Sequence, residues 1–136
     1  MGYRSKYEKA IGRKIKVGYE VHHIDLNRKN NSISNLIEIE HKLHVEFHTA
    51  YNPLRDIIQT IKINGYKVSD YETNSWLKSF CLPYVPTEKW AKKLLKCTSK
   101  INEAITKRDK VIGISYEKIS YTDDEMFILR LNINKK

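Results

Sequence analysis

The rhythm of apolar and polar positions changes along the chain, and each change marks an element. Residues 3–10, YRSKYEKA, form a short basic helix stopped by Gly12, and Lys14 to Glu20 carries the chain toward Val21. Tyr, Val and Ile favour extended backbone, so Tyr19 to Ile24 is a short strand, and LNRKNNS after it is a polar loop. Ile37 and Ile39 alternate with Glu38 and Glu40, the period-two pattern of a second strand that pairs with the first across that loop. From His41 the period turns helical, with Leu43, Phe47 and Ala50 at i, i+4 and i+7, and Glu40 sits where the positive end of the helix dipole favours an acid.

Beyond that helix the pattern predicts an interruption at Asn52-Pro53, then a second helix through Leu54, Ile57, Ile58 and Ile61 to a stop at Asn64-Gly65. Residues 69–80 read as helical with Trp76, Leu77 and Phe80 inward, and CLPYVP as a turn. A long basic helix starts at Pro86-Thr87-Glu88, with Thr87 as cap, and runs to about Arg108. Its core-facing stripe is Trp90, Leu94, Leu95, Ile101 and Ile105. VIGISYEKISY and EMFILRLNI read as a β-hairpin around Thr122-Asp123-Asp124. The fold class is therefore α+β, a strand-loop-strand-helix unit followed by a mainly helical region with a C-terminal hairpin.

Charge narrows the partner. The 136 residues carry 25 Lys and Arg against 16 Asp and Glu, a net charge of +9, which favours a polyanion, nucleic acid before anionic membrane. No apolar run is long enough to span a bilayer and the N-terminus lacks the apolar core of a secretory signal, so the expected location is cytoplasmic. Cys81 and Cys97 are too few and too far apart for a disulfide framework or a cysteine-rich zinc site, and read as reduced, packed thiols.

All five histidines, His22, His23, His41, His44 and His48, fall in a 27-residue window, and imidazole is both the commonest metal ligand and the usual near-neutral base. His44 and His48 lie four apart on a helix and share a face. Adjacent strand residues point to opposite sides, so one of His22 and His23 can join that pair while the other stays available as a base. Three protein ligands with open positions suit a hydrolytic metal centre. His41, three residues before His44, is an alternative to His48 or a capping or solvated side chain. Asp25 reads as a local turn former.

The segment VHHIDLNRKNNSISNLIEIEHKLHVEFH, with the basic lead-in YRSKYEKAIGRKIKVGYEV, resembles the HNH endonucleases, whose ββα-metal finger occurs in phage homing endonucleases and nuclease colicins. The resemblance covers about residues 3–50, and the all-histidine ligand set looks most like the colicin arrangement. It implies that His22, His44 and His48 hold one divalent ion (Mg, Mn, Zn or Ni), that His23 is the general base, and that Asn35 pins the loop and helps orient that base. It further implies a nuclease module over 1–52 with a helical accessory region over 53–136, and metal-dependent hydrolysis of DNA that leaves 5′-phosphate and 3′-hydroxyl ends.

Arg4, Lys14, Lys16, Arg28 and Lys29 are the candidates for holding flanking phosphates. The basic helix from 86 to 108 reads either as a solvated face or as an extension of the DNA-binding surface. Cutting both strands with one such site requires two copies or two binding events, which admits a homodimer, and a phage or mobile-element origin fits the resemblance. The competing reading is a non-catalytic DNA-binding or assembly factor that keeps the finger as a zinc-stabilised scaffold.

Overall fold

The computed structural model describes residues 2–80, 88–113 and 118–133. Helix α1 (Tyr3–Ile11) leads into strand β1 (Tyr19–His23), a single 3-10 turn (Ile33–Asn35), strand β2 (Leu36–Glu40) and helix α2 (His41–Ile63). Short helices α3 (Asp70–Thr73) and α4 (Ser75–Phe80) follow, then the long α5 (Glu88–Ile112) and α6 (Asp123–Ile133). The architecture is α+β, a two-stranded antiparallel hairpin followed by helix. The chain divides into two compact units, Met1–Glu46 with Cys97–Ile119, and Phe47–Lys96 with Ser120–Lys136.

In the first unit α1 ends where the sequence says it should. Gly12 takes the left-handed conformation (φ 76°) that costs a residue without Cβ nothing, and its N–H closes the helix on the Glu8 carbonyl. Tyr7, Ile15, Val21 and Leu36 form the buried cluster beneath the hairpin, with Ile11 and Tyr19 against it. The alternation of β2 is not a simple inside-outside pattern, because Glu38 is buried along with Ile37 and Ile39. Its carboxylate receives two contacts from the Arg13 guanidinium at 2.8 and 2.9 Å, which raises the pKa of Arg13, while its backbone N–H donates to the Tyr7 hydroxyl. A buried carboxylate needs such partners to offset its lost hydration. From α5, the buried Arg108 donates to the carbonyls of Leu36 and Ile33 and to the carboxylate of Asp109.

In the second unit the expected break at Asn52-Pro53 does not occur, and α2 continues through Pro53. Proline removes one helical donor. The apolar stripe nevertheless holds phase across it, burying Phe47, Ala50, Leu54, Ile57 and Ile61, and the Trp90 indole donates to the Ala50 carbonyl at 2.8 Å in the affected turn. The predicted stop at Asn64-Gly65 is present, with Gly65 at φ 81°.

Trp76 does not turn inward: it is 51% exposed and lies 5.8 Å from the ring of Tyr66, whereas Leu77 is fully buried. Asn74, extended between α3 and α4, accepts from the Leu77 N–H and restarts the helical phase one residue away from the expected face. The Phe80 side chain, the CLPYVP turn and the Thr87 cap lie outside the described residues. On α5, Leu94, Ile101 and Ile105 are fully buried as expected, and Trp90 and Leu95 are half-buried.

The second strand expected of the C-terminal hairpin is helix instead, and residues 114–117 of the expected first strand lie outside the described residues. Val111 and Ile112 finish α5, Lys118 to Thr122 has no regular structure, and Asp123–Ile133 is α6. Thr122 and Glu125 form a capping box: the Glu125 N–H donates to Thr122 Oγ1 at 3.2 Å and the Thr122 N–H to Glu125 Oε1 at 2.8 Å. Three acids in the first turn add to that start. The other Glu125 oxygen accepts from the Tyr51 hydroxyl, and burial followed by that carboxylate holds the phenol well above its ordinary pKa.

Candidate active site

Strand register brings the site together. His22 stands opposite Ile37 and His23 opposite Leu36, so the adjacent imidazoles leave the hairpin on opposite sides. His22, 1% exposed, meets the ring of His44 edge-on with centroids 5.1 Å apart. His23, 8% exposed, goes the other way, 4.8 Å from the ring of Tyr3.

Helix α2 supplies the rest of the first group. His44 and His48, one turn apart and half-buried, each bring a ring nitrogen to His22, and the three donor atoms lie within 4.8 Å of one another. Nitrogen ligands about 2.0–2.1 Å from a tetrahedral ion stand roughly 3.4 Å apart, so small side-chain rotations would close this set on one cation. Burial, then the charges of His41, Arg28 and His23, push the pKa of His44 down, toward the neutral imidazole that a metal requires.

Glu20 sits two residues before His22 on β1. Its carboxylate contacts His44 Nδ1 at 3.2 Å and also His41 Nδ1. An acceptor on Nδ1 fixes the ring so that Nε2 is the ligating nitrogen. His41, largely exposed, shares this carboxylate and is not one of the three clustered donors. Nothing in the residue types singles out Glu20; the available signal is strand periodicity, which puts it on the same side as His22.

The loop on the His23 side is closed by its own polar residues. Asn35 is buried, accepts from the Asp25 N–H at 2.9 Å, and donates to Asp25 Oδ1 and the Asn30 carbonyl at 2.8 and 2.9 Å. Asp25 in turn accepts from the Asn27 N–H and the Asn30 amide, the local turn role expected of it. Asn35 thus pins the loop, and Asn31 hydrogen-bonds His23, its Oδ1 lying 2.9 Å from His23 Nε2.

Arg4, Lys14, Lys16, Arg28 and Lys29 are all exposed. Lys16 lies over the Tyr19 ring at 5.2 Å, and Arg28 is near enough to depress the pKa of His44.

A strand-loop-strand-helix finger with clustered imidazoles on one side and a single one on the other is the arrangement, and the family comparison agrees with it. Residues 4–45 match the family described as HNH endonuclease. Over this stretch the chain is similar to the HNH endonucleases, and the match covers less than half of its length. The match ends within α2, one residue past His44. No curated protein and no solved structure matched the chain. Among the described residues, no helix is long and apolar enough to cross a membrane.

Proposed function

We propose that the HNH module is a divalent-metal-dependent DNA endonuclease. The observation that carries this is the separation of the histidines: three donors converge within 4.8 Å on one side of β1, and His23 stands apart on the other, against Asn31. A structural zinc site has no need of the fourth, separately held imidazole.

His22, His44 and His48 would hold the ion, and Glu20 would orient His44. When bound, a divalent cation supplies Lewis-acid stabilisation to the scissile phosphate and to the 3′-oxygen as it leaves. With Nε2 donating to Asn31, His23 keeps Nδ1 as its acceptor nitrogen and takes a proton there from the attacking water. The water oxygen bonds to phosphorus as the bond to the 3′-oxygen breaks, and a proton from solvent water converts the leaving 3′-oxygen to a hydroxyl, giving 5′-phosphate and 3′-hydroxyl ends. His23 lies one side chain below the surface, since Tyr3 is 41% exposed and Asn31 is exposed. Arg4, Lys14, Lys16, Arg28 and Lys29 would hold flanking phosphates in the open. The chemistry is assigned to residues 1–52, with 53–136 as an accessory helical region.

The test is plasmid cleavage by purified protein with Mg, Mn, Ni or Zn supplied singly. The expected result is metal-dependent nicking or cutting that His23→Ala abolishes while calorimetry still detects metal binding. No cleavage with any metal, together with unfolding on chelation, would favour the zinc-stabilised scaffold instead.

A further inference from the structure

Helix α5 carries a feature that neither the HNH module nor the core requires. Lys89, Lys93, Lys96, Lys100, Lys107 and Lys110 are all exposed. At about 100° per residue they fall within an arc of roughly 100°, and Lys92 falls in the same arc. The buried residues Leu94, Ile101 and Ile105 lie on the opposite side.

The acids of the helix do little to neutralise this face. Glu103 is on it, Glu88 is at its edge in an ion pair with Lys92, and Asp109 is turned away, held by the buried Arg108. Lysines four apart, such as Lys89 with Lys93 and Lys96 with Lys100, repel one another on an isolated helix. An anionic partner would relieve that repulsion.

We propose that this face docks the phosphate backbone of duplex DNA without reading its sequence, an inference that rests on DNA being the substrate of the HNH module. From Lys89 to Lys110 the ammonium groups extend about 32 Å at 1.5 Å per residue, close to the roughly 34 Å of one duplex turn. The arc contains no Arg, Asn or Gln, the side chains that read base edges bidentately, and lysine is a point charge for phosphate. A membrane-surface helix would put its apolar face into lipid, whereas the apolar face of α5 is already committed to the core.

The experiment uses full-length protein carrying His23→Ala, so that the duplex stays intact, with and without Lys93→Gln, Lys96→Gln, Lys100→Gln and Lys107→Gln together. Anisotropy of a labelled random-sequence duplex of about 30 bp is measured from about 50 to about 200 mM salt. Glutamine keeps helix propensity. The expected result is a log-log salt slope shallower by about 2 to 4, equal on unrelated sequences, with circular dichroism unchanged.

A slope altered by less than about one unit would overturn the assignment of α5 and leave the nuclease reading standing. So would an unchanged slope accompanied by lost binding to anionic phospholipid vesicles, which would identify a membrane surface instead. If the protein with all its lysines neither binds duplex nor cuts plasmid, the DNA reading itself fails and this inference fails with it.

Discussion

Asn31 Oδ1 lies 2.9 Å from His23 Nε2. An amide oxygen has no proton to give, so the contact assigns the proton to Nε2 and fixes both the tautomer and the orientation of the ring. In the proposed mechanism, a base so held needs no reorganisation before it accepts a proton. Asn31→Ala should therefore lower kcat about tenfold, a fraction of the roughly 10²–10⁴ that a general base contributes, with KM moved less than about twofold. Asn31→Asp, which keeps the acceptor, should recover most of the rate, and the ring ¹⁵N spectrum should show the Nδ1–H tautomer gaining population only in the alanine variant. A rise in KM at constant kcat would make Asn31 a DNA contact rather than a positioning residue.

Glu20 invites a test that does not need cleavage. Because its carboxylate contacts His44 Nδ1, Glu20→Ala should weaken binding of Zn or Ni about 10–100-fold by calorimetry, and Glu20→Gln, which retains an acceptor, should weaken it less. His41 contacts the same carboxylate from outside the donor cluster, so His41→Ala should leave affinity within a few-fold of the parent. Equal losses in the two alanine variants would instead make His41 a ligand.

The loop has a pH signature. Burial pushes the Asp25 carboxyl up, but hydrogen bonds from the Asn30 amide, the Asn27 N–H and the Asn35 amide outweigh it, and its pKa lies below the ordinary value. A carboxyl depressed in the folded state adds stability that is complete above its unfolded value, about 4, and is lost as pH falls through the lower folded one. In urea titrations from about pH 7 down to about pH 3, the gap in midpoint between the parent and Asp25→Asn should be constant down to about pH 5 and close below about pH 4. A gap that persists undiminished at the acid end would assign the effect of the substitution to shape rather than charge.

Thr122 tests the C-terminal helix. Replacing an N-cap that bonds the third helical N–H costs about 1 kcal/mol, so Thr122→Ala should lower unfolding stability by about that much, and Thr122→Ser by much less. Equilibrium denaturation measures both. A hairpin turn at this position would be nearly indifferent to the change.

The finger was legible because its signals are local. A polar loop between two β-prone runs, a period change at His41 and an i, i+4 histidine pair each depend on a few neighbouring residues, and the structure realises all of them. The misreadings come from partners distant in sequence or from competing local signals. Pro53 predicts a break, yet the apolar stripe Phe47, Ala50, Leu54, Ile57 and Ile61 keeps its phase through it by being buried. EMFILRLNI is apolar enough to serve as strand or helix, and the deciding signal was the Thr-Asp-Asp-Glu capping box just before and into it. Glu38 looks like a solvent-facing strand residue until Arg13 is brought beside it. Asn31, in a run of turn-forming asparagines, differs from its neighbours only in which ring it meets.

His22 and His23 are chemically the same residue, and their pairing partners, Ile37 and Leu36, are what tell them apart. Sliding one strand by a single position would exchange odd for even along it, presenting the second imidazole where the first belongs. Every composition-based description of the chain would survive that shift, and the division of labour would not. The apolar side chains beneath the hairpin therefore keep the parity on which the two proposed chemistries, from one kind of side chain, depend.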